Sequence, residues 1–262
     1  MPTVRSNGIS IYYEVQGRGD PVLIIGGLAT DLSQIGSLVN ALSEKHQVIS
    51  FDNRGAGRTD KPDAPYTVEM MAEDAAGLLS EIGISPVNLL GISLGGRIAI
   101  TLTLTRPELV KSLTLASTTA RMNYKRGVMW SLSNLLVRIP QVRRIGTEYP
   151  QPYFAYVRQR EASRGYDATG RLHEISKPTL IIHGSRDNVA PFSLAQEIHG
   201  RVKGSQLVAF DGGHTFMFSK QWEFASEVER FLSEDEEGHA KPISRSADPP
   251  SGLSGQGIAR EA

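Results

Sequence analysis

Between Val87 and Pro107 the chain changes its periodicity once, and it does so at a serine. Val87 to Leu90 is an apolar run suited to a strand buried on both faces, and an apolar helical stretch runs from about Leu94 to Thr105 before Pro107 stops it. The junction reads Gly91-Ile92-Ser93-Leu94-Gly95-Gly96. A strand that passes straight into a helix places this serine at the apex of a sharp, strained turn, where flanking side chains would collide with neighbouring strands. Gly91, Gly95 and Gly96 remove that crowding and let the hydroxyl face outward. Glycine and serine are common, so Gly-x-Ser-x-Gly alone says little. A strand before it, a helix after it and suitable partners downstream make it specific.

The rest of the chain supplies a sheet for this turn to stand on. Thr3–Arg5 and Ile9–Val15 read as a hairpin about Asn7-Gly8, a pair that tolerates positive φ. Pro21–Ile25, Gln47–Phe51, Leu113–Ala116, Thr179–Ile182 and Gln206–Phe210 read as further strands. Helical spacing of apolar residues recurs at Ile35–Leu42, at Val68–Ile82 with Gly83 as its stop, and at Phe224–Leu232. With the Val87 strand the total is eight, and the alternation predicts an α/β fold with a mostly parallel sheet covered by helices on both faces. Thr118 to about Ile175 has no buried strand; Met129–Ile139 and Tyr153–Val157 look helical there, which predicts a small inserted helical cap. The folded domain is expected to span 1–233, and the polar, charged 234–262 to form a disordered tail.

Composition excludes several roles. The 28 basic and 28 acidic residues leave no basic footprint for nucleic acid or a charged membrane surface. The absence of cysteine removes disulfides, thiolate metal sites and a cysteine nucleophile together. The first residues, Met1-Pro2-Thr3-Val4-Arg5, lack the apolar core of a secretory signal, and no apolar run reaches membrane-spanning length, so a cytoplasmic location is expected.

A serine hydroxyl is a poor nucleophile near neutral pH and needs a base, which in turn needs an orienting acid. Of six histidines, His214 lies in Asp211-Gly212-Gly213-His214, directly after a strand and at the carboxyl edge of the sheet, where such folds place ligands. His183 ends a buried strand and reads as structural; His46, His173, His199 and His239 read as surface residues. Asp187, in Gly184-Ser185-Arg186-Asp187-Asn188, is the acid expected just past a strand end, whereas Asp211 is too near His214 along the chain to aim at its far side. The loop Asp52–Arg58 lacks the spacing of a phosphate cradle and reads as a tight surface loop with Arg54 or Arg58 paired to Asp52 or Asp60.

The order Ser93, Asp187, His214, together with the strand–serine–helix turn, resembles the α/β-hydrolase fold family from Thr3 to about Ser233. Gly26-Gly27-Leu28, the Asp52–Gly57 loop, His183–Asp187 and Gly212-Gly213-His214 match it as well; many relatives have His-Gly where this chain has Gly26-Gly27. The resemblance implies a catalytic Ser93–His214–Asp187 triad, an oxyanion hole made by the backbone N–H groups of Leu28 and Leu94, and no metal or cofactor. The Ser93 turn looks like that of small esterases and 3-oxoadipate enol-lactonase-like hydrolases, which implies a small-molecule ester or lactone substrate. The rivals on the same triad are a carbon–carbon bond hydrolase and a perhydrolase or acyltransferase; a rival of another class is a ligand receptor with little turnover. A serine at this position disfavours relatives with an aspartate nucleophile. Met122, Met129, Trp130, Tyr153, Phe154 and Tyr156 read either as lining for an apolar acyl pocket or as packing of the cap onto the core, while Arg121, Arg126, Arg143 and Arg144, which could meet a substrate carboxylate, read rather as solvated surface.

Overall fold

A computed structural model describes residues 2–122, 135–144 and 146–236. Its centre is one eight-stranded sheet of β1 (Thr3–Ser6), β2 (Ile9–Gln16), β3 (Pro21–Ile25), β4 (Gln47–Phe51), β5 (Val87–Ile92), β6 (Val110–Ala116), β7 (Thr179–Gly184) and β8 (Gln206–Phe210), in the spatial order β1-β2-β4-β3-β5-β6-β7-β8. β1 and β2, and β2 and β4, pair antiparallel; every later pairing is parallel. β5, which leads to Ser93, is therefore central, flanked by β3 and β6.

Alternation along the buried strands divides the core between two layers. Leu23, Ile25, Leu89 and Ile181 face α2 (Val68–Ile82) and α3 (Leu94–Thr105), whereas Val22, Ile24, Leu90 and Ile182 face α1 (Leu32–Ser43). The helices have ends written in the sequence. Asp31 caps α1 in a reciprocal box with Gln34, Thr67 caps α2, and Gly83 ends α2 in the left-handed conformation at φ 66°. The segment between β6 and β7 holds α4 (Tyr153–Ala162) and no named strand among the described residues; α5 (Phe192–Arg201), α6 (Phe216–Ser219) and α7 (Gln221–Glu236) complete the chain. Met129, Trp130 and Leu132 lie outside the described residues, as do residues 237–262; α7 itself continues through Glu236, beyond the expected domain end at 233.

Two expectations are corrected. The 52–58 loop is buried rather than superficial: Asp52 accepts hydrogen bonds from the Leu32 and Arg58 amides, at 2.9 and 2.7 Å, and ties the loop to the start of α1. Arg58 lies 3.6 Å from Asp52 as expected, but Arg54 pairs with Asp74 of α2 at 2.6 Å, which offers a buried guanidinium a two-point carboxylate. His46 is also buried, because α7 crosses the α1–β4 turn and brings Glu229 to 3.3 Å.

Candidate active site

Ser93 occupies the expected turn between β5 and α3, with φ 53° and ψ −111°, a conformation that L-residues avoid. The glycines around it are steric necessities. A Cβ on Gly91 would lie 2.6 Å from the Gly95 carbonyl oxygen, and a Cβ on Gly95 only 2.0 Å from that of Ile25. Both obstacles are backbone, so no side-chain rotation relieves them. Gly95→Ala is expected to force α3 away from β3 and to destabilise the protein by about 1–3 kcal/mol or more. Thermal unfolding checks this; an unchanged melting temperature would show that the contact is not tight.

The serine hydroxyl has a partner at once. Ser93 Oγ lies 3.0 Å from His214 Nε2, and His214 Nδ1 lies 2.7 Å from Asp187 Oδ2. A carboxylate only accepts, so the imidazole donates through Nδ1–H and leaves the Nε2 lone pair facing the hydroxyl. His214 follows β8 and is partly exposed; Asp187 follows β7 and its side chain is fully buried. Burial alone would raise the Asp187 carboxyl. Hydrogen bonds from His183 and His214, the His214 charge and the Ala190 amide outweigh it and hold the group well below the usual carboxylate range. Its other oxygen accepts from the amides of Val189 and Ala190, both at 2.8 Å, which fixes the side chain from behind. His183 bonds the Ala190 carbonyl at 2.7 Å, as its structural reading requires, and also approaches Asp187 at 3.2 Å. Asp211 is exposed and paired with Arg186 at 2.6 Å.

The turn after β3 closes the other side. The Asn53 amide donates to the Gly26 carbonyl at 2.9 Å, and the Thr30 N–H donates to that of Gly27 at 3.2 Å. Gly27 lies against the serine: a Cβ there would be 3.4 Å from Ser93 Cβ. Leu28, Leu94, Ser93 and His214 line one pocket of about 60 Å³, with Met122, Val189 and Ala190 adding apolar wall. All five residues singled out in the sequence thus meet at one site, with Asp187 behind His214. Arg97, Gln159, Arg160 and Ser163 also line it and were not anticipated. Of the four arginines considered earlier, Arg121 pairs with Glu197 and Arg143 bonds main-chain carbonyls, including that of Val137 at 2.7 Å, while Arg126 lies outside the described residues. Buried Arg97 donates to Ser163 at 3.1 Å and Thr119 at 2.9 Å, which ties α3 to the β6–β7 segment. Among the described residues no group of three or more His, Asp or Glu is arranged to hold a metal, and no helix is long and apolar enough to cross a membrane.

The chain is similar in sequence and fold to known proteins. A family model described as alpha/beta hydrolase fold matches residues 20–131, and a second, described as TAP-like protein, matches 156–241. A putative carbamate hydrolase of Azorhizobium caulinodans is 25% identical over 245 residues, covering 82% of this chain and 92% of its own. The 3-oxoadipate enol-lactonase 2 of Acinetobacter baylyi is 25% identical over 257 residues, covering 88% of this chain and 96% of its own. An esterase structure from Exiguobacterium antarcticum superposes with a TM-score of 0.77 at 25% identity, covering 88% of this chain and 98% of that one.

Proposed function

The chain belongs to the alpha/beta hydrolase fold family, and from that premise we propose that it hydrolyses a small carboxylic ester or lactone through an acyl-enzyme on Ser93. The observation that carries this reading is the unbroken hydrogen-bonded line from Asp187 through His214 to Ser93 at the edge of a small, largely apolar pocket. Ser93 Oγ attacks the acyl carbon as its proton passes to His214 Nε2. Asp187, kept ionised by its hydrogen bonds, holds the imidazole in the required tautomer and stabilises the imidazolium. The Leu28 and Leu94 N–H groups receive the oxyanion. His214 then gives its proton to the departing alkoxide, the acyl-enzyme remains, and a water deprotonated by the same nitrogen releases the acid and restores Ser93. Nothing in this cycle calls for a metal or an organic cofactor. The enol-lactonase, esterase and carbamate hydrolase relatives are named for cleavage at a carbonyl bearing a heteroatom, the step described here.

The pocket size gives a substrate test. Its volume of about 60 Å³ is small beside the roughly 300–1,000 Å³ of sites for drug-sized ligands, which suits a short acyl group. On 4-nitrophenyl esters of increasing chain length, acetate and butyrate are expected to exceed octanoate in kcat/KM by about tenfold or more, in a reaction that depends on Ser93. A long-chain optimum would contradict the short acyl site. Covalent labelling of Ser93 with negligible turnover of every ester would contradict ester hydrolysis and favour a carbon–carbon substrate or a receptor.

A further inference from the structure

Gln159 is a fully buried polar side chain on α4, yet both ends of its amide are spent on loops of the sheet domain. Its Oε1 accepts the Ala29 N–H at 3.0 Å, and its Nε2 donates to the Arg54 carbonyl at 2.8 Å. It also lines the pocket that holds Ser93. Ala29 sits at φ 59°, a left-handed conformation that alanine does not favour, so this stretch of turn holds its shape through outside contacts.

The amides of this turn differ in their partners. The Thr30 N–H is bonded to Gly27, and the Ala29 N–H is bonded to Gln159. The Leu28 N–H has no hydrogen-bond acceptor among the described residues; the Gly27 N–H has none either, but of the two residues only Leu28 lines the pocket with Ser93. Gln159 therefore occupies the neighbour of that amide and fixes the peptide that follows it.

We propose that Gln159 is a positioning residue for the oxyanion site, setting the Leu28 N–H through Ala29, so that the site is complete only while α4 is docked on the sheet domain. This rests on the serine-hydrolase reading above. The β6–β7 segment is then part of the catalytic geometry as well as a cover for substrate. Donors in such a site must match the oxyanion more closely than the ground-state carbonyl, so a relaxed turn costs turnover more than substrate binding.

The test uses Gln159→Met, of similar length and without hydrogen bonds, and Gln159→Asn, polar but one carbon short of spanning both loops. For each, kcat and KM on 4-nitrophenyl acetate are measured beside inhibition by a trifluoromethyl ketone. That ketone adds Ser93 Oγ to its carbonyl carbon, passes the hydroxyl proton to His214 and places its former carbonyl oxygen, now charged, in the oxyanion site. Both variants are expected to lose about 10- to 100-fold in kcat and a similar factor in ketone affinity, with KM within about threefold of the wild type. If Gln159→Met does not fold, Gln159→Asn decides. Unchanged kcat and ketone affinity in a folded variant would overturn the proposal, as would a change confined to KM and melting temperature, which is what a mere tether would give. Full activity in Ser93→Ala, or a ketone that does not compete in the wild type, would overturn the serine-hydrolase reading as well. Normal results there with indifferent Gln159 variants overturn this inference alone.

Discussion

Ser93→Ala is expected to reduce kcat on 4-nitrophenyl acetate by about 10⁶-fold while leaving the fold intact. The size follows from the geometry. Removing Oγ eliminates the atom that bonds to the acyl carbon and leaves His214 Nε2, now 3.0 Å from nothing nucleophilic, to act through water alone. Residual acceleration would come from the Leu28 and Leu94 amides and the pocket walls, which the substitution does not touch. The main chain at Ser93 should keep its strained φ of 53°, because the Gly91–Gly95–Ile25 crowding and the Thr118 hydroxyl bond to the Ser93 carbonyl, at 2.6 Å, remain. Steady-state kinetics beside circular dichroism separates loss of chemistry from loss of fold. A loss below tenfold with native structure would mean another nucleophile.

Asp187→Asn is expected to lower kcat by about 10⁴-fold with a much smaller effect on KM. Replacing the carboxylate by an amide removes an acceptor-only partner and lets an N–H face His214 Nδ1. The imidazole then turns its proton toward Ser93, the wrong tautomer for accepting the hydroxyl proton. The imidazolium also loses the charge that stabilises it. Because hydrogen bonds hold the wild-type Asp187 carboxyl well below the usual carboxylate range, it stays ionised throughout that range and above it. Protonation of Asp187 is therefore expected to add no step to the wild-type kcat/KM profile within the ordinary carboxylate range of about pH 3–5. A step in that range that disappears in the asparagine variant would show that Asp187 titrates there, and near-normal turnover in the asparagine variant would mean that the acid lies elsewhere.

The features legible in the sequence were those fixed by local sterics or by topology. The Ser93 turn is one, because only glycine at 91 and 95 lets α3 approach β5 and β3 so closely. The sheet is another: alternating and continuous apolar runs gave all eight strands, and strand ends that follow β5, β7 and β8 brought Ser93, Asp187 and His214 to one edge. What stayed hidden depends on which distant surfaces meet. Nothing near His46 announces that α7 will cover it with Glu229, and nothing near Arg54 points to Asp74 rather than Asp52. Gln159 is an intermediate case. Ala155, Tyr156, Gln159 and Ala162 form the buried face of α4, so a glutamine interrupts a stripe of otherwise less polar residues. That interruption signals a buried amide in need of partners, but the partners, at Ala29 and Arg54, appear only in three dimensions.

The proposed mechanism requires that one atom, Ser93 Oγ, take the covalent adduct of an electrophile that mimics an ester. Treatment with a fluorophosphonate, followed by intact mass and peptide mapping of the wild type and Ser93→Ala, reads this out. One phosphonyl adduct per chain is expected, on the peptide that carries Ser93, and none on the variant. An adduct on another residue, or equal labelling of Ser93→Ala, would contradict the assignment of Ser93 as the nucleophile and with it the proposed mechanism.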